Sequence, residues 1–171
     1  MRRRYRRPIT DDVFSVLTID RILIRAPLDR VFAIARDVER WPEILPHYRW
    51  VRMLERRSDG GRVEMAAWRP FGPAPLRYPT WWVSEMRVEP DGGQPVIRYR
   101  HVDGITTGMD VRWQLTTAAG GGVAVEIVHQ WSGPAWPLVG ALAANLVIGP
   151  VFVHGIASRT LAGIRATAEA A

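Results

Sequence analysis

The feature that most constrains the fold is the stretch 127–158, which has 32 residues and no aspartate, glutamate, lysine or arginine. It also carries two of the four histidines, His129 and His154. Two structures are compatible with such a stretch. It either spans a membrane, or it supplies the last strand and the long C-terminal helix of a domain whose sheet wraps around that helix.

The membrane-spanning alternative is the weaker of the two. The window 136–156 has the length of a span, which is about 20 residues. However, Pro150 would remove a backbone hydrogen bond in the middle of the bilayer. The helical spacing also continues beyond the window through Arg159 and Arg165. We therefore predict a helix over about 150–168 and a cytoplasmic domain, with peripheral membrane contact as the remaining alternative.

Segments with the composition and alternation of β-strands account for most of the rest of the chain. The predicted strands are 16–25, 48–57, 62–69, 78–89, 96–102, 109–117 and 123–131. Glycine- and proline-rich turns separate most of them, and such short connections favour antiparallel pairing. Two short helices are predicted after the first strand, over 28–38 and 40–48. The sequence thus predicts an α+β fold with a curved, seven-stranded antiparallel sheet around a long C-terminal helix.

The positive charge is concentrated at the N-terminus. Five arginines supply five of the net +6 charge, which leaves +1 for the rest of the 171 residues: Arg2, Arg3, Arg4, Arg6 and Arg7. We expect a flexible basic tail over 1–12 and a single domain over 13–171. The near-neutral domain excludes a basic nucleic-acid surface, and no sequence-specific nucleic-acid partner is expected. The alternative role of the tail is contact with anionic lipid or RNA phosphate.

One face of the predicted sheet is apolar, and the C-terminal helix has a matching stripe. Alternate residues of the last three strands form the inward set: Ile97, Tyr99, His101, Met109, Val111, Trp113, Leu115, Val123, Val125, Ile127, His129 and Trp131. The helix stripe consists of Val153, Ala157, Thr160, Leu161, Ile164 and Ala168, with His154 at its edge. One helix against a strongly curved sheet often leaves a cavity, and ligand pockets are typically ~300–1,000 Å³ and mostly apolar.

The inward aromatic and polar residues are the predicted ligand-binding set: Trp82, Tyr99, His101, Trp113, His129, Trp131, His154 and Ala157. Among them, His129, His101 and Tyr99 are the best candidates for acid–base chemistry on a ligand carbonyl. The alternative is structural. A core histidine can be fully hydrogen-bonded, and a buried tryptophan can fill a core instead of lining a cavity.

Several other chemistries are excluded by the sequence. There is no cysteine, and the four histidines lack the spacing of metal ligands, so no metal site is predicted. The glycine runs at 60–61 and 120–122 are typical of hairpin turns and do not form a phosphate-binding motif. No cofactor is expected. Hydrolase, kinase and dehydrogenase functions find no support in the motifs.

Four stretches carry a resemblance to a known family. They are Ile22-Leu23-Ile24-Arg25-Ala26-Pro27 with Val31-Phe32, the run 36–42 (RDVERWP) with Leu45-Pro46, the segment from Asp103-Gly104 to Trp113-Gln114-Leu115, and the helix end 159–164 (RTLAGI). Together they resemble the START-like (Bet v 1-like, SRPBCC) superfamily, and in particular its polyketide cyclase/dehydrase branch. The resemblance extends from about residue 16 over nearly the whole chain. It offers no catalytic signature that can be matched residue by residue.

The resemblance implies a helix-grip fold whose cavity binds a hydrophobic small molecule, such as a polyketide, a lipid or a quinone. Some members of the superfamily catalyse cyclisation and aromatisation, which makes a polyketide cyclase, aromatase or dehydratase one hypothesis. The second hypothesis is a carrier without enzymatic activity. A chaperone of the coenzyme Q-binding type is suggested by Trp41-Pro42 and Leu45-Pro46 together with the basic tail, through which it would contact a membrane or ribosome.

Overall fold

The structure is a computed structural model, and it describes residues 16–70, 77–91, 94–132 and 153–170. The predicted basic tail and most of the window 136–156 lie outside these residues. The strands are β1 (Val16–Ile24), β2 (Tyr48–Arg57), β3 (Gly60–Pro70), β4 (Arg77–Asp91), β5 (Gln94–Gly104), β6 (Asp110–Thr117) and β7 (Val123–Trp131). The helices are α1 (Leu28–Arg36), α2 (Trp41–Ile44) and α3 (His154–Glu169).

The seven strands form one antiparallel sheet in the order β1-β7-β6-β5-β4-β3-β2. The first strand pairs with the last, so that Thr18 lies opposite His129 and Ile24 opposite Val123. The other strands pair with their neighbours in sequence. This sheet, with two short helices after β1 and a C-terminal helix, confirms the predicted α+β helix-grip architecture.

Helix α3 runs along β1. At its first residue, His154 Nδ1 lies 2.5 Å from Asp20 Oδ1. At its last residue, the Glu169 carboxylate accepts a 2.8 Å hydrogen bond from the backbone N–H of Arg25. The two contacts fix the direction of the helix relative to the first strand.

The helices between β1 and β2 are shorter than predicted. Helix α1 ends at Arg36 because Asp37, with φ −82° and ψ 67°, leaves the helical region. A 3₁₀ turn over Val38–Arg40 follows and leads into α2. Helix α2 in turn stops where Leu45 adopts an extended conformation.

The predicted inner face of the sheet is buried, apart from His129, which is partly exposed. Ile97, Leu115 and Ile127 are at most 1% exposed, and they form one core with the helix. The predicted stripe of α3 is confirmed, since all six of its residues are buried. None of the helices in the described part of the chain is long and apolar enough to cross a bilayer.

Candidate functional site

A cavity of about 70 Å³ lies between the inner face of the sheet and the first half of α3. A water molecule needs roughly 10–15 Å³ on this measure, so the cavity has room for about five waters. It is smaller than the ~300–1,000 Å³ of a typical ligand pocket. It is also smaller than a cavity of about 150 Å³ that holds benzene, so a ligand with aromatic rings requires side chains to move.

Six of the residues predicted to bind a ligand line the cavity: Trp82, Tyr99, His101, Trp113, His129 and Ala157. Strands β4 to β7 contribute the first five, and α3 contributes Ala157. They meet because alternate residues on adjacent strands point to the same face of a sheet. Their roles toward a ligand remain predictions.

The imidazole of His101 is fixed and neutral. Its Nδ1 lies 2.6 Å from the Thr106 hydroxyl. Burial is the main cause that lowers its pKa to about 3, and His129, Arg69 and Arg100 lower it further. At neutral pH the ring therefore offers hydrogen bonds without a charge.

His129 and Tyr99 present polar atoms that have no hydrogen-bond partner among the described residues. These atoms are Nδ1 of His129 and the hydroxyl of Tyr99. Burial lowers the pKa of His129 to about 3. Burial raises the pKa of Tyr99, with a smaller contribution from Tyr48, so the phenol keeps its proton. A buried polar atom that lacks a partner costs about 1–3 kcal/mol, which a suitable ligand atom would recover.

A buried arginine, which the sequence analysis missed, also lines the cavity. Arg69 is 3% exposed, and its Nε donates a 3.1 Å hydrogen bond to the Thr80 hydroxyl. That hydroxyl in turn donates to the carbonyl of Ala67 at 3.1 Å. Burial lowers the pKa of Arg69 to about 9, which leaves it positively charged at neutral pH. The alternation along β3 could have identified it, because Arg69 lies on the same face of the strand as the buried residues Met65 and Ala67.

The apolar wall of the cavity is a continuous series of rings. Trp41 lies 5.6 Å from Trp113 and 5.2 Å from Tyr48, measured between ring centroids. Tyr48 lies 6.3 Å from Trp82, which stacks on His101 at 5.9 Å. Aromatic pairs at such distances contribute about 0.5–1.5 kcal/mol beyond their buried area, so the wall is well held.

Two of the predicted ligand-binding residues, Trp131 and His154, are not among the described residues that line the cavity. Trp131 is buried, and its indole N–H donates to the carbonyl of Thr107 at 3.0 Å. The side chain of His154 is 63% exposed and contacts the Asp20 carboxylate. The spacing along strand and helix predicted which face each residue lies on. It did not predict how far along the strand or helix the cavity extends, and both residues lie beyond it.

The described residues include no group of three or more His, Cys, Asp or Glu side chains that could hold a metal ion. The polar groups that line the cavity include one guanidinium, two imidazoles, two phenols and two aliphatic hydroxyls: Arg69, His101, His129, Tyr48, Tyr99, Thr106 and Thr160.

A curved antiparallel sheet closed by a C-terminal helix over an apolar cavity defines the helix-grip, START-like class of proteins. Within that class, the chain belongs to the family described as polyketide cyclase/dehydrase and lipid transport, whose family model matches residues 24–149.

Three similar proteins illustrate the family and the fold. The chain is 34% identical over 97 residues to the "Putative polyketide cyclase" of Streptomyces halstedii, a match that covers 56% of this chain and 84% of that protein. It has the fold of a protein from Thermus thermophilus, with TM-score 0.70, 19% identity, and 91% and 97% of the two chains covered. The ZhuI aromatase/cyclase of Streptomyces sp. R1128 gives TM-score 0.63 at 16% identity, with 92% and 98% covered.

Proposed function

We propose that the protein binds a polyketide-like molecule in its cavity and closes a ring in it, as a cyclase/dehydratase. The observation that carries this proposal is an aromatic wall beside the buried charge of Arg69 and two polar atoms, on Tyr99 and His129, that lack a hydrogen-bond partner among the described residues. A flat, conjugated molecule fits the rings, and its carbonyl oxygens would accept hydrogen bonds from a phenol and a guanidinium. The family description and the curated relative support the same ligand class.

The proposed reaction is an aldol ring closure followed by loss of water. The neutral imidazole of His129 takes a proton from a carbon between two carbonyl groups, and the resulting enolate attacks a distant carbonyl carbon. Arg69 stabilises the negative oxygen, because a positive charge in a water-poor site acts strongly on a developing oxyanion. The protonated His129 returns its proton to the new alkoxide. Loss of that hydroxyl as water, with one carbon-bound proton, then gives the conjugated ring.

The low pKa of His129 makes it a weak base for an unactivated carbon acid, since the optimal pKa of a base lies near the working pH. A carbon flanked by two carbonyl groups is an unusually acidic carbon acid, which narrows the difference between its pKa and that of His129. Arg69 would assist further, because it stabilises the enolate that forms.

Binding is tested first, by calorimetric titration with 2-naphthol. Ala157 lines the cavity from α3, so Ala157→Phe fills it, whereas Ala162 on the same helix is exposed. We expect Ala157→Phe to weaken binding by about tenfold or more, which is about 1.4 kcal/mol, and Ala162→Phe to leave it unchanged. Equal effects of the two substitutions, or no binding by the wild type, would contradict the cavity as the binding site.

Catalysis is tested with a synthetic aryl triketone, whose ring closure is followed by chromatography and mass spectrometry. We expect turnover by the wild type and a loss of about 100-fold or more in both His129→Asn and Arg69→Met. Titration with 2-methylnaphthalene, which makes no hydrogen bond in the cavity, should still show binding by both variants. Turnover that survives in both variants would overturn the proposed mechanism.

The second candidate function is a carrier for a lipid- or quinone-like molecule, with or without contact between the arginine tail and a membrane or ribosome. The observation that favours it is the low pKa of both cavity histidines, about 3, which makes them weak bases at neutral pH. Binding without ring closure by the wild type, together with a lipid recovered from the native protein by extraction and mass spectrometry, would support this function over the first.

A further inference from the structure

Strands β1 and β7 carry three polar atoms that are buried and have no hydrogen-bond partner in the described part of the chain. They are Thr18 Oγ1, Asp20 Oδ2 and His129 Nδ1. Asp20 is 5% exposed, so its carboxylate lies almost entirely out of water. Its other oxygen, Oδ1, is held by the Nδ1 atom of His154.

The strand register brings the three side chains together. Thr18 is the direct antiparallel partner of His129, and Asp20 is the partner of Ile127. Directly opposed residues have Cβ atoms about 4.5–5.5 Å apart on the same face of a sheet. Asp20 lies two residues beyond Thr18 on that face, which is a step of about 7 Å along the strand.

Of the three residues, His129 lines the cavity itself, whereas Thr18 and Asp20 lie directly behind the lining as strand partners of two lining residues. His129 and Ile127, the partners of Thr18 and Asp20, both line the cavity, and so does Val153, which directly precedes the helix residue that contacts Asp20. The cluster therefore lies at the β1–β7 end of the cavity, on the side opposite the strands that carry Trp82 and Arg69.

The chemistry of the three atoms selects one kind of partner. Burial raises the pKa of Asp20, and the hydrogen bond and charge of His154 oppose this rise by favouring the ionised carboxylate. In that form the carboxylate only accepts hydrogen bonds, whereas a threonine hydroxyl donates and accepts. A hydroxyl group of a ligand can donate to Asp20 and accept from Thr18 at the same time. A ketone oxygen cannot donate to the ionised carboxylate, and a methyl group would leave all three protein atoms without a hydrogen bond.

We propose that Thr18, Asp20 and His129 form a hydroxyl-recognition subsite, which takes a phenolic or enolic hydroxyl at the edge of an aromatic ligand. The His154 contact keeps the carboxylate of Asp20 turned toward this position. The subsite rests on the proposed ligand-binding function and adds the orientation of the ligand to it. The ligand's hydroxyl end lies against β1 and β7, and its other end extends toward Arg69.

The test uses two probes of matched shape, 2-naphthol and 2-methylnaphthalene, with the full chain and isothermal calorimetry. The measured quantity is the ratio of the two dissociation constants. In Thr18→Val and in Asp20→Asn we expect the preference for the hydroxyl over the methyl to fall about tenfold relative to the wild type. Affinity for 2-methylnaphthalene should change less than about twofold, because it makes no hydrogen bond to lose.

Two further variants control for general damage. Ser84→Ala removes another buried hydroxyl that has no partner among the described residues, but it lies on β4, so it should leave the ratio unchanged. Thr18→Ser keeps the hydroxyl and should keep the wild-type ratio. If both probes bind and the ratio is the same in Thr18→Val, in Asp20→Asn and in the wild type, the subsite is wrong while the cavity function stands. If neither probe binds to the wild type, the cavity function itself fails and the subsite fails with it.

Discussion

The imidazole ring of His101 lies nearly parallel to the indole ring of Trp82, with planes 17° apart and centroids separated by 5.9 Å. The Thr106 hydroxyl, 2.6 Å from Nδ1, holds the same imidazole at its edge. Two neighbouring strands and the turn after β5 thus fix one ring of the cavity wall. Of these contacts, the hydrogen bond to Thr106 can be removed by a single substitution that leaves the stacking on Trp82 in place.

The first prediction removes that hydrogen bond. In Thr106→Val the buried Nδ1 of His101 loses its partner, and we expect the free energy of unfolding to fall by about 1–3 kcal/mol. Urea denaturation measures this change. The control is Thr107→Val. The Thr107 hydroxyl donates a hydrogen bond to the carbonyl of Gly104 in the same turn, but this bond is exposed to solvent. Its loss should cost less than about 1 kcal/mol, and equal losses at the two sites would contradict the role of His101 burial.

The second prediction concerns acid. The folded-state pKa of His101 and of His129 is about 3, below the 6.5 of an ordinary histidine. Between pH 3 and pH 6.5 these histidines bind a proton in the unfolded chain but not in the folded one. Acid therefore favours unfolding: the free energy of unfolding is highest above about pH 6.5 and falls as the pH decreases toward 3. Each histidine should contribute a loss on the order of 1–2 kcal/mol between pH 7 and pH 5.

Urea denaturation at pH 7, 6 and 5 checks this dependence. His47, whose pKa burial lowers to about 4, adds to the same trend. A His129→Gln variant does not titrate at this position, so its stability should decrease less over the same interval. An identical pH dependence in the variant and the wild type would show that folding does not lower the pKa of His129.

The sheet and the packed face of the helix could be predicted because both depend on periodicity. Alternation along β6 and β7 identified Trp113 and Ile127 as buried, and a spacing of three and four identified Leu161 and Ile164 on α3. The buried face of a strand or helix is determined by the spacing of its own apolar residues, so each element's sequence is enough to predict that face.

The cavity could be predicted only in part, because its shape depends on how far each side chain lies along its strand. Trp131 has the inward parity of His129, yet it bonds to Thr107 instead of lining the cavity. Arg69 was missed because an arginine near a strand end is usually solvated, and its burial depends on Thr80 of the next strand. Such contacts between strands appear only when the register is known.

The third prediction separates stability from function at Arg69. A buried charge contributes little net stability after its desolvation, and an apolar side chain of similar length can replace it. We expect Arg69→Met to change the free energy of unfolding by less than about 1 kcal/mol while ring closure of the triketone is lost. A stability loss of several kcal/mol would instead assign Arg69 a structural role.

The fourth prediction uses two glycines of α3 as a matched pair. A Cβ atom built on Gly163 would lie 2.2 Å from Cδ2 of Leu45, which is fully buried, whereas one built on Gly155 meets none of the described residues within 4 Å. Alanine favours a helix over glycine by about 0.5–1 kcal/mol, so Gly155→Ala should raise the free energy of unfolding by that amount.

In Gly163→Ala the same helical gain is opposed by the displacement of Leu45, and overpacking of a filled core costs typically 1–3 kcal/mol. We therefore expect Gly163→Ala to be neutral or destabilising, and to lie about 1–3 kcal/mol below Gly155→Ala in urea denaturation. In a Leu45→Ala background, which lacks the obstructing side chain, Gly163→Ala should be less destabilising than it is in the wild type, because contacting residues are energetically coupled. Equal stabilisation by both glycine substitutions would show that α3 does not pack this closely against the end of α2.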